Sequence, residues 1–554
     1  MSSKPFTSEP AFANADSHGG DAQAYLNAGE RGGYAPNGKD SYTVSEAGNH
    51  LIGGEPGWSR ALGVGITISY GFRSVAPTDM PDDTGEFSRF SSAQIVQAEL
   101  ALQAWSDVAN IRFTRVGSGT AGELAYTNNA TILFGNYATG ADGASAFAYY
   151  PGNQLASSPS GDVWINSTLS YNQNPSVGNY GGQVLIHELG HAIGLSHPAD
   201  YNAGDDTKPT YAASAIYFED SRQYTVMSYF SESNTGANFG GRYSAAPLLD
   251  DIAAAQLEYG VNTSTRTGDT VYGFGSNTGR AWYEATSSAS KVVFAVWDAG
   301  GTDTLNFSGF TQNQTIDLRS GYFSNVGGLT GNVAIAQGAT VENATGGFGA
   351  DVMTGNDVAN RLFGQNGNDT LSGGGGQDYL RGEAGSDSLF GGTEWDDLHG
   401  NMGNDTVYGG EGDDWVVGGQ DLDLLQGDNG RDIVVGNLGA DTLYGGEHDD
   451  RLHGGQDNDL LFGDAGADFL TGDRGSDTIS GGGGGDLFYV SAGTGFDRIT
   501  DFSYGEGDRV RIDGAGWSLQ QSGADTLVTL TSGDQVILVG LNSAGLPGDW
   551  IGQY

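Results

Sequence analysis

Cysteine is absent from all 554 residues, which excludes a disulfide framework, a thiolate nucleophile and thiolate metal ligands. A secreted chain built this way must find its rigidity elsewhere, and bound metal is the obvious source. Basic residues are scarce: 23 Lys and Arg stand against 68 Asp and Glu, a net charge of -45. That balance excludes nucleic acid and anionic membrane as partners and favours a polycation or many divalent ions. No apolar run is long enough for a membrane span. Residues 1–20 lack a continuous apolar core, so they are not an ordinary secretory signal peptide. The polar, Gly-rich stretch to about Asn37 reads as a disordered tail. The length exceeds what one core supports and implies at least two domains.

Histidine is also scarce, with 8 in the chain, and three of them lie in one short window. His187 and His191 are four residues apart, so a helix carrying them directs both imidazoles from one face towards a single metal. Glu188 sits beside the first ligand, where a carboxylate can act as general base on a metal-bound water. Gly194 can take the left-handed conformation that ends a helix, and the turn returns His197 to the same metal. Three neutral imidazoles leave one position open around zinc, the arrangement of a catalytic site. Downstream, Tyr224-Thr225-Val226-Met227-Ser228-Tyr229 offers a tight turn with a methionine beneath the metal.

The surrounding half reads as mixed α/β. Ser91 and Gln94 form a capping box ahead of Ile95, Ala98, Leu102 and Trp105, so a helix is expected over 92–109. Segments 111–116 and 130–134 are strand-like, and Ala146-Phe147-Ala148-Tyr149-Tyr150 ends at Pro151.

From 346 to 489 the chain is a nonapeptide array of 16 units without a register break. Every unit begins with Gly, the eighth position is always apolar, and the sixth is Asp except at Asn360. This is the repeat of a parallel β-roll, whose Gly-rich turns present carbonyls and one carboxylate to calcium. The array holds 24 Asp and 4 Glu against 5 Arg, so self-repulsion should oppose its folding until cations neutralise it. Val358, Glu394, Asp421, His448 and Asp457 replace the fourth-position Gly, and calcium is not expected to bind normally at those turns. Strand-like runs at 508–512, 525–530 and 535–539 would cap the roll.

The zinc motif, Pro198 after the third histidine, and Val226-Met227-Ser228-Tyr229 together resemble the serralysins, secreted bacterial metalloproteases of the metzincin clan. The resemblance implies an α+β (α/β) metzincin catalytic domain followed by an all-β parallel β-roll. It implies one catalytic zinc on His187, His191 and His197, Glu188 as catalytic base, Met227 packed beneath the metal, and Tyr229 as an additional zinc ligand that helps stabilise the transition state. It makes Ala146, Phe147, Ala148, Tyr149 and Tyr150 the strand bordering the substrate cleft; read from the residues alone, an ordinary sheet-closing strand fits equally.

Several structural calcium ions are implied as well. Arg266, Gly268 and Gly300 would offer carbonyls and Asp298 and Asp303 carboxylates, with Thr270 and Gly301 in the same set. Further candidates are Thr340, Glu342, Gly347, Gly349, Asp351, Gly367, Asp369, Gly376, Asp378, Asp387, Asp405, Asp414, Asp432, Asp441, Asp468 and Asp477.

The expected organisation is a disordered N-terminal segment over 1–37 that serves as propeptide, a catalytic domain over 38–260, a calcium-binding domain over 261–489, and a β cap over 490–554 carrying the signal for a type I exporter. Function follows: a secreted, extracellular, monomeric endopeptidase acting on protein substrates, with a proteinaceous inhibitor as a further partner. The rival reading is a calcium-binding surface or adhesion protein with a vestigial zinc domain.

Overall fold

The computed structural model describes residues 6–7, 25–53, 57–81, 83–141, 144–202, 207–514 and 516–553. The chain divides into two compact units: residues 1–303 with 319–341, and residues 304–318 with 342–554.

The first unit is built on a six-stranded sheet. Its strands are β1 (Phe6–Thr7), β2 (Ile66–Phe72), β3 (Ile111–Arg115), β4 (Ile132–Tyr137), β5 (Ala146–Ala148) and β6 (Val163–Asn166). Their spatial order is β1-β5-β6-β4-β2-β3. Strands β6, β4, β2 and β3 run parallel, and β5 is antiparallel to β6. All six residues of β4 are buried, as expected of a central parallel strand covered on both faces.

Four helices matter for the site: α1 (Val44–Leu51), α2 (Ser92–Val108), α3 (Tyr180–Ala192) and α4 (Leu249–Tyr259). Helix α2 starts where its capping box places it and buries Ile95, Ala98, Leu102 and Trp105. Trp105 Nε1 donates to the Ile186 carbonyl at 3.1 Å, fixing α2 against α3. Gly48 lets α1 lie close on α4, since a Cβ there would meet Ala253 Cβ at 3.0 Å.

One expectation is corrected here. The disordered tail does not extend to Asn37. Leu26 N–H donates to Tyr224 Oη at 2.8 Å, and Arg31 reaches both oxygens of Asp250 at 2.8 and 3.0 Å with its side chain fully buried. Low hydrophobicity concealed this, because the segment is held by polar anchors. The remainder of the expected tail, apart from β1, lies outside the described residues.

The compact units are drawn differently from the domains expected of the sequence, since residues 261–303 and 319–341 cluster with the catalytic part. Strand β7 (Phe294–Val296) pairs parallel with Val333–Ile335 inside the first unit, and all six residues are buried.

The second unit is a parallel β-roll. Six-residue strands alternate between two sheets from Arg361 to Arg474, each pairing with the strand 18 residues on, as in Leu362↔Leu380 and Leu371↔Leu389. The eighth-position side chains stack inside: Leu371, Leu380, Val407, Leu443 and Leu470 are completely buried. Each contributes about 1.5–3 kcal/mol on leaving water. Strands Arg509–Ile512, Asp525–Leu530 and Gln535–Leu538 continue the two sheets beyond the array.

Candidate metal centre and active site

Helix α3 is capped by Asn179, whose side chain accepts from Gly182 N–H, and it carries His187, Glu188 and His191 with all three buried. Its end is made by Gly194 at φ 109°, with Leu195 N–H reaching back to the Gly190 carbonyl at 2.9 Å. That turn delivers His197 to the pair, and the three histidines form the one candidate metal cluster among the described residues.

The hydrogen bonds of the rings decide what they can do. Nδ1 of His187 faces the Val226 carbonyl at 2.8 Å, that of His191 the Leu195 carbonyl at 2.7 Å, and that of His197 the Tyr201 carbonyl at 2.9 Å. A carbonyl only accepts, so each Nδ1 carries the hydrogen and each Nε2 keeps its lone pair. The Nε2 atoms converge, with His191 to His197 at 3.0 Å and His197 to His187 at 3.3 Å. Lone pairs facing one another this closely call for a shared cation. A tetrahedral zinc with bonds of about 2.0–2.1 Å spaces its ligand atoms ~3.3 Å apart, so the donor set fits zinc. Burial holds all three rings neutral, the form that ligates; His187 is pushed down to about 4.

Met227 is completely buried under this centre. A side chain at Gly190 would collide with Met227 Sδ, so the helix needs glycine where it crosses the methionine. The turn is tied to α4: Asp251 accepts from Thr225 Oγ1 at 2.6 Å and Val226 N–H at 2.8 Å. Tyr229 lies with its ring centroid 4.5 Å from His197 and 5.9 Å from His187. Tyr150 meets His191 edge-on at 5.9 Å, so the end of segment 146–150 does reach the metal centre.

The segment's strand is not free. Strand β5 pairs with β6 on one side and with β1 on the other, Phe6 opposite Ala148 and Thr7 opposite Phe147. Its outer side is taken by the chain's own N-terminal strand β1.

Sequence reasoning missed two groups around the centre. Tyr201 stacks on His197 at 5.2 Å, its hydroxyl donating to Asp220, which also accepts from Ser228. Arg222 closes the loop around Met227 through its N–H to the Phe230 carbonyl. Neither belongs to a spacing motif; only the fold brings them together.

The expected calcium ligands near the end of the first unit are partly assembled. A Cβ on Gly301 would meet the Gly268 carbonyl at 2.7 Å, so the two loops touch at those glycines. Asp303 Oδ1 accepts from Thr270 N–H at 2.8 Å, and Asp298 Oδ2 accepts from Tyr272 Oη at 2.7 Å. Both carboxylates are buried. Arg266 takes φ 50°, Gly300 φ 131°, and the Arg266 side chain pairs with Asp107. Thr340 is exposed and Glu342 half-buried.

In the roll, the sixth-position aspartates from Asp369 on use Oδ1 to accept the N–H of the sixth-position residue one turn earlier, as in Asp351 N–H to Asp369 at 2.7 Å and Asp387 N–H to Asp405 at 2.8 Å. The other oxygen is buried without a hydrogen bond in Asp369, Asp378, Asp387, Asp405, Asp414, Asp432, Asp441, Asp468 and Asp477. The same holds for Asp396, Asp423, Asp450, Asp459 and Asp486, which sequence reasoning did not single out. Four of these five follow a turn or belong to a unit whose fourth residue is not glycine. Glu394, Asp421, His448 and Asp457 take φ of 75–85° there, positive like the 94–159° of glycines such as Gly376 and Gly475 at the same position but smaller.

Asp351 differs. Gly347 N–H occupies its Oδ2 at 2.6 Å and Gln314 its Oδ1 at 2.7 Å, which leaves Gly347, Gly349 and Asp351 less suited to a cation than expected. Asn360 replaces the carboxylate altogether, donating Nδ2–H to the Glu342 carbonyl at 2.9 Å. Gly367 and Gly376 take φ of 122° and 94° at their turns.

Comparison with known proteins agrees with both units. The matrixin family profile matches residues 82–215, and the profile described as peptidase M10 serralysin C terminal matches residues 261–522. The metalloprotease AprA of Pseudomonas entomophila is 52% identical over 341 residues, covering 60% of this chain and 68% of the relative. Serralysin of Photorhabdus luminescens is 48% identical over 340 residues, covering 59% and 68%. Serralysin C of Dickeya chrysanthemi is 46% identical over 327 residues, covering 58% and 66%.

A matrixin-type catalytic unit with three convergent histidines, followed by a parallel β-roll, defines a zinc metalloendopeptidase, a hydrolase of peptide bonds. Within that class, the chain belongs to the serralysin family.

Proposed function

We propose that this protein is a secreted endopeptidase of extracellular proteins in which Glu188 is the general base and calcium holds the roll folded. The convergence of three Nε2 lone pairs at 3.0–3.3 Å, with fully buried Glu188 next to His187 on the same helix, carries the reading. Zinc held there supplies Lewis acidity, bringing a water to a pKa of about 7 and polarising the scissile carbonyl.

Glu188 takes the proton of the attacking water and passes it to the leaving amine. Tyr229 donates its hydroxyl to the oxyanion that develops on the carbonyl. The carbonyls of Val226, Leu195 and Tyr201 hold the imidazoles in the ligating tautomer throughout. Segment 146–150 lines the cleft and offers its backbone to an extended substrate. In the chain as it stands β1 pairs with β5 in the same way, antiparallel, which supports a propeptide role for the N-terminal segment.

The roll's buried, half-satisfied carboxylates support calcium as a structural cofactor, held by aspartates and turn carbonyls. A chain that cannot fold its roll at cytosolic calcium suits a type I exporter and an extracellular site of action. Candidate partners remain protein substrates, the exporter and a proteinaceous inhibitor, with the enzyme acting as a monomer.

The test is Glu188→Gln. Bound zinc should persist at one equivalent while caseinolysis drops by about 10²–10⁴-fold. Full activity in the variant would refute the role.

A further inference from the structure

His197 is the histidine of the centre that helix α3 does not carry, so its aim depends on what holds the residues around it. Each imidazole takes its direction from the carbonyl at its Nδ1. For His187 that carbonyl belongs to Val226, whose N–H is fixed by Asp251, and for His191 to Leu195, whose N–H is bonded back to Gly190. For His197 it belongs to Tyr201, in a stretch outside any helix or strand. Tyr201 is held through its side chain. Its ring stacks on His197 with centroids 5.2 Å apart, and its hydroxyl donates to Asp220 Oδ1 at 2.8 Å.

The same oxygen accepts from Ser228 Oγ at 2.7 Å. Ser228 Oγ also accepts from Phe230 N–H at 3.0 Å, which turns its own hydrogen towards the carboxylate and fixes the chain on both sides of Tyr229. Tyr229 packs on Tyr201, with centroids 5.0 Å apart. Asp220 stands on a tied platform: Arg222 N–H donates to the Phe230 carbonyl at 2.9 Å, and Ser221 Oγ lies 2.7 Å from Thr235 Oγ1. Its side chain is completely buried, and Oδ2 lacks a hydrogen bond. Burying a carboxylate half-satisfied costs free energy. What it supplies in return is a pair of charge-assisted hydrogen bonds, short and directional in dry surroundings, which is what holding two loops in one geometry requires.

We propose that Asp220 is a positioning residue for hydrolysis: its Oδ1 sets, through Tyr201, the direction from which His197 meets the metal and, through Ser228, the place from which Tyr229 reaches the oxyanion. The inference rests on the proteolytic reading above. The two arms are separable. Losing the Tyr201 arm loosens the third ligand and weakens metal binding. Losing the Ser228 arm leaves the histidines in place and displaces the Tyr229 hydroxyl, whose partner exists only as charge develops on the carbonyl, so kcat falls while KM holds.

The full chain with zinc and calcium is compared as wild type, Tyr201→Phe, Ser228→Ala, Asp220→Ala and the double variant Tyr201→Phe/Asp220→Ala. Competition with a zinc-selective chelator gives zinc affinity, and a fluorogenic peptide at saturating zinc gives kcat and KM. Tyr201→Phe should weaken zinc binding by about tenfold, Ser228→Ala should lower kcat by about tenfold with KM and zinc affinity held, and Asp220→Ala should do both. The double variant should bind zinc no worse than Asp220→Ala, since both changes remove the same bond. A packing role alone would lower the melting temperature of Asp220→Ala and leave its zinc affinity and kcat at wild-type values; that outcome overturns the proposal, as does additivity in the double variant.

Should Asp220→Ala fail to fold, the two hydroxyl deletions decide: unchanged zinc affinity in Tyr201→Phe, or unchanged kcat in Ser228→Ala, overturns the assignment. A wild type that binds zinc yet cuts no peptide would overturn the proteolytic reading itself, a failure distinct from the variants' because zinc affinity is read without turnover.

Discussion

Removing calcium is expected to unfold the roll at neutral pH. Fourteen aspartates, from Asp369 to Asp486, are buried with one oxygen lacking any hydrogen bond. An unsatisfied buried polar group costs about 1–3 kcal/mol, so the array carries a penalty of about 14–42 kcal/mol in the metal-free state. A whole domain commonly has only about 5–15 kcal/mol to lose. In the proposed role, calcium on those oxygens would remove the penalty, and binding the folded form alone would add stability by mass action.

The metal-free state has its own pH dependence. Burial pushes Asp396 and Asp450 up to about 8 and Asp369 to about 7, from 3.8. A folded-state value raised in this way means that the folded chain binds more protons than the unfolded one between pH ~4 and ~8. Stability of the metal-free roll therefore falls as pH rises through that window, and each carboxylate contributes about 1–2 kcal/mol once screening at the turn surface is allowed for. Far-UV circular dichroism of the full chain, with EGTA at pH 8 and again at pH 4.5, checks both arms. Loss of β signal at pH 8 with partial recovery at pH 4.5 is expected. An unchanged β signal at pH 8 with free calcium below 1 nM would refute the reasoning.

Other perturbations have equally definite outcomes. Gly190→Ala should force Met227 Sδ aside, lowering both zinc affinity and melting temperature, whereas Ala192→Gly on the same helix should cost only about 1 kcal/mol with zinc affinity unchanged; equal effects of the two on zinc affinity would count against the methionine's supporting role. Arg31→Met should destabilise the first unit by about 3–5 kcal/mol in a urea melt, because Asp250 and Glu219 would be left buried without their cation. A loss below 1 kcal/mol would show that Arg31 does not anchor the N-terminal segment. Glu188→Gln completes the set.

The parts legible in the sequence share one property: their chemistry is local or strictly periodic. Helix α2 announces itself through a capping box and a 3-4-3 stripe. The zinc ligands lie within eleven residues, and the roll repeats every nine. Polar anchoring across long separations left no such trace. Arg31 meets Asp250 over 219 residues, and Tyr224 meets Leu26 over 198. The structure shows that Glu394, Asp421, His448 and Asp457 tolerate φ of 75–85°, at the price of local strain of about 1–2 kcal/mol each. Val358 is the exception, and its unit is also the one in which Asn360 replaces the aspartate. There an amide hydrogen bond stands where a metal would otherwise be needed.

The two kinds of metal site depend on their ions in opposite ways. At the zinc centre each imidazole already has a carbonyl partner for Nδ1, and burial keeps the rings neutral, so the metal-free site contains no buried charge beyond Glu188. The cation completes a scaffold that the hydrophobic unit around it supports. In the roll the proposed ligands are carboxyl groups whose second oxygen is buried without a hydrogen bond. Zinc removal should therefore abolish hydrolysis while the first unit keeps its near-ultraviolet dichroism, and calcium removal should cost β structure. A zinc-selective chelator that unfolds the first unit below pH 8 would contradict the hydrogen-bonding argument, because the three carbonyls would then be doing too little to hold the rings in place.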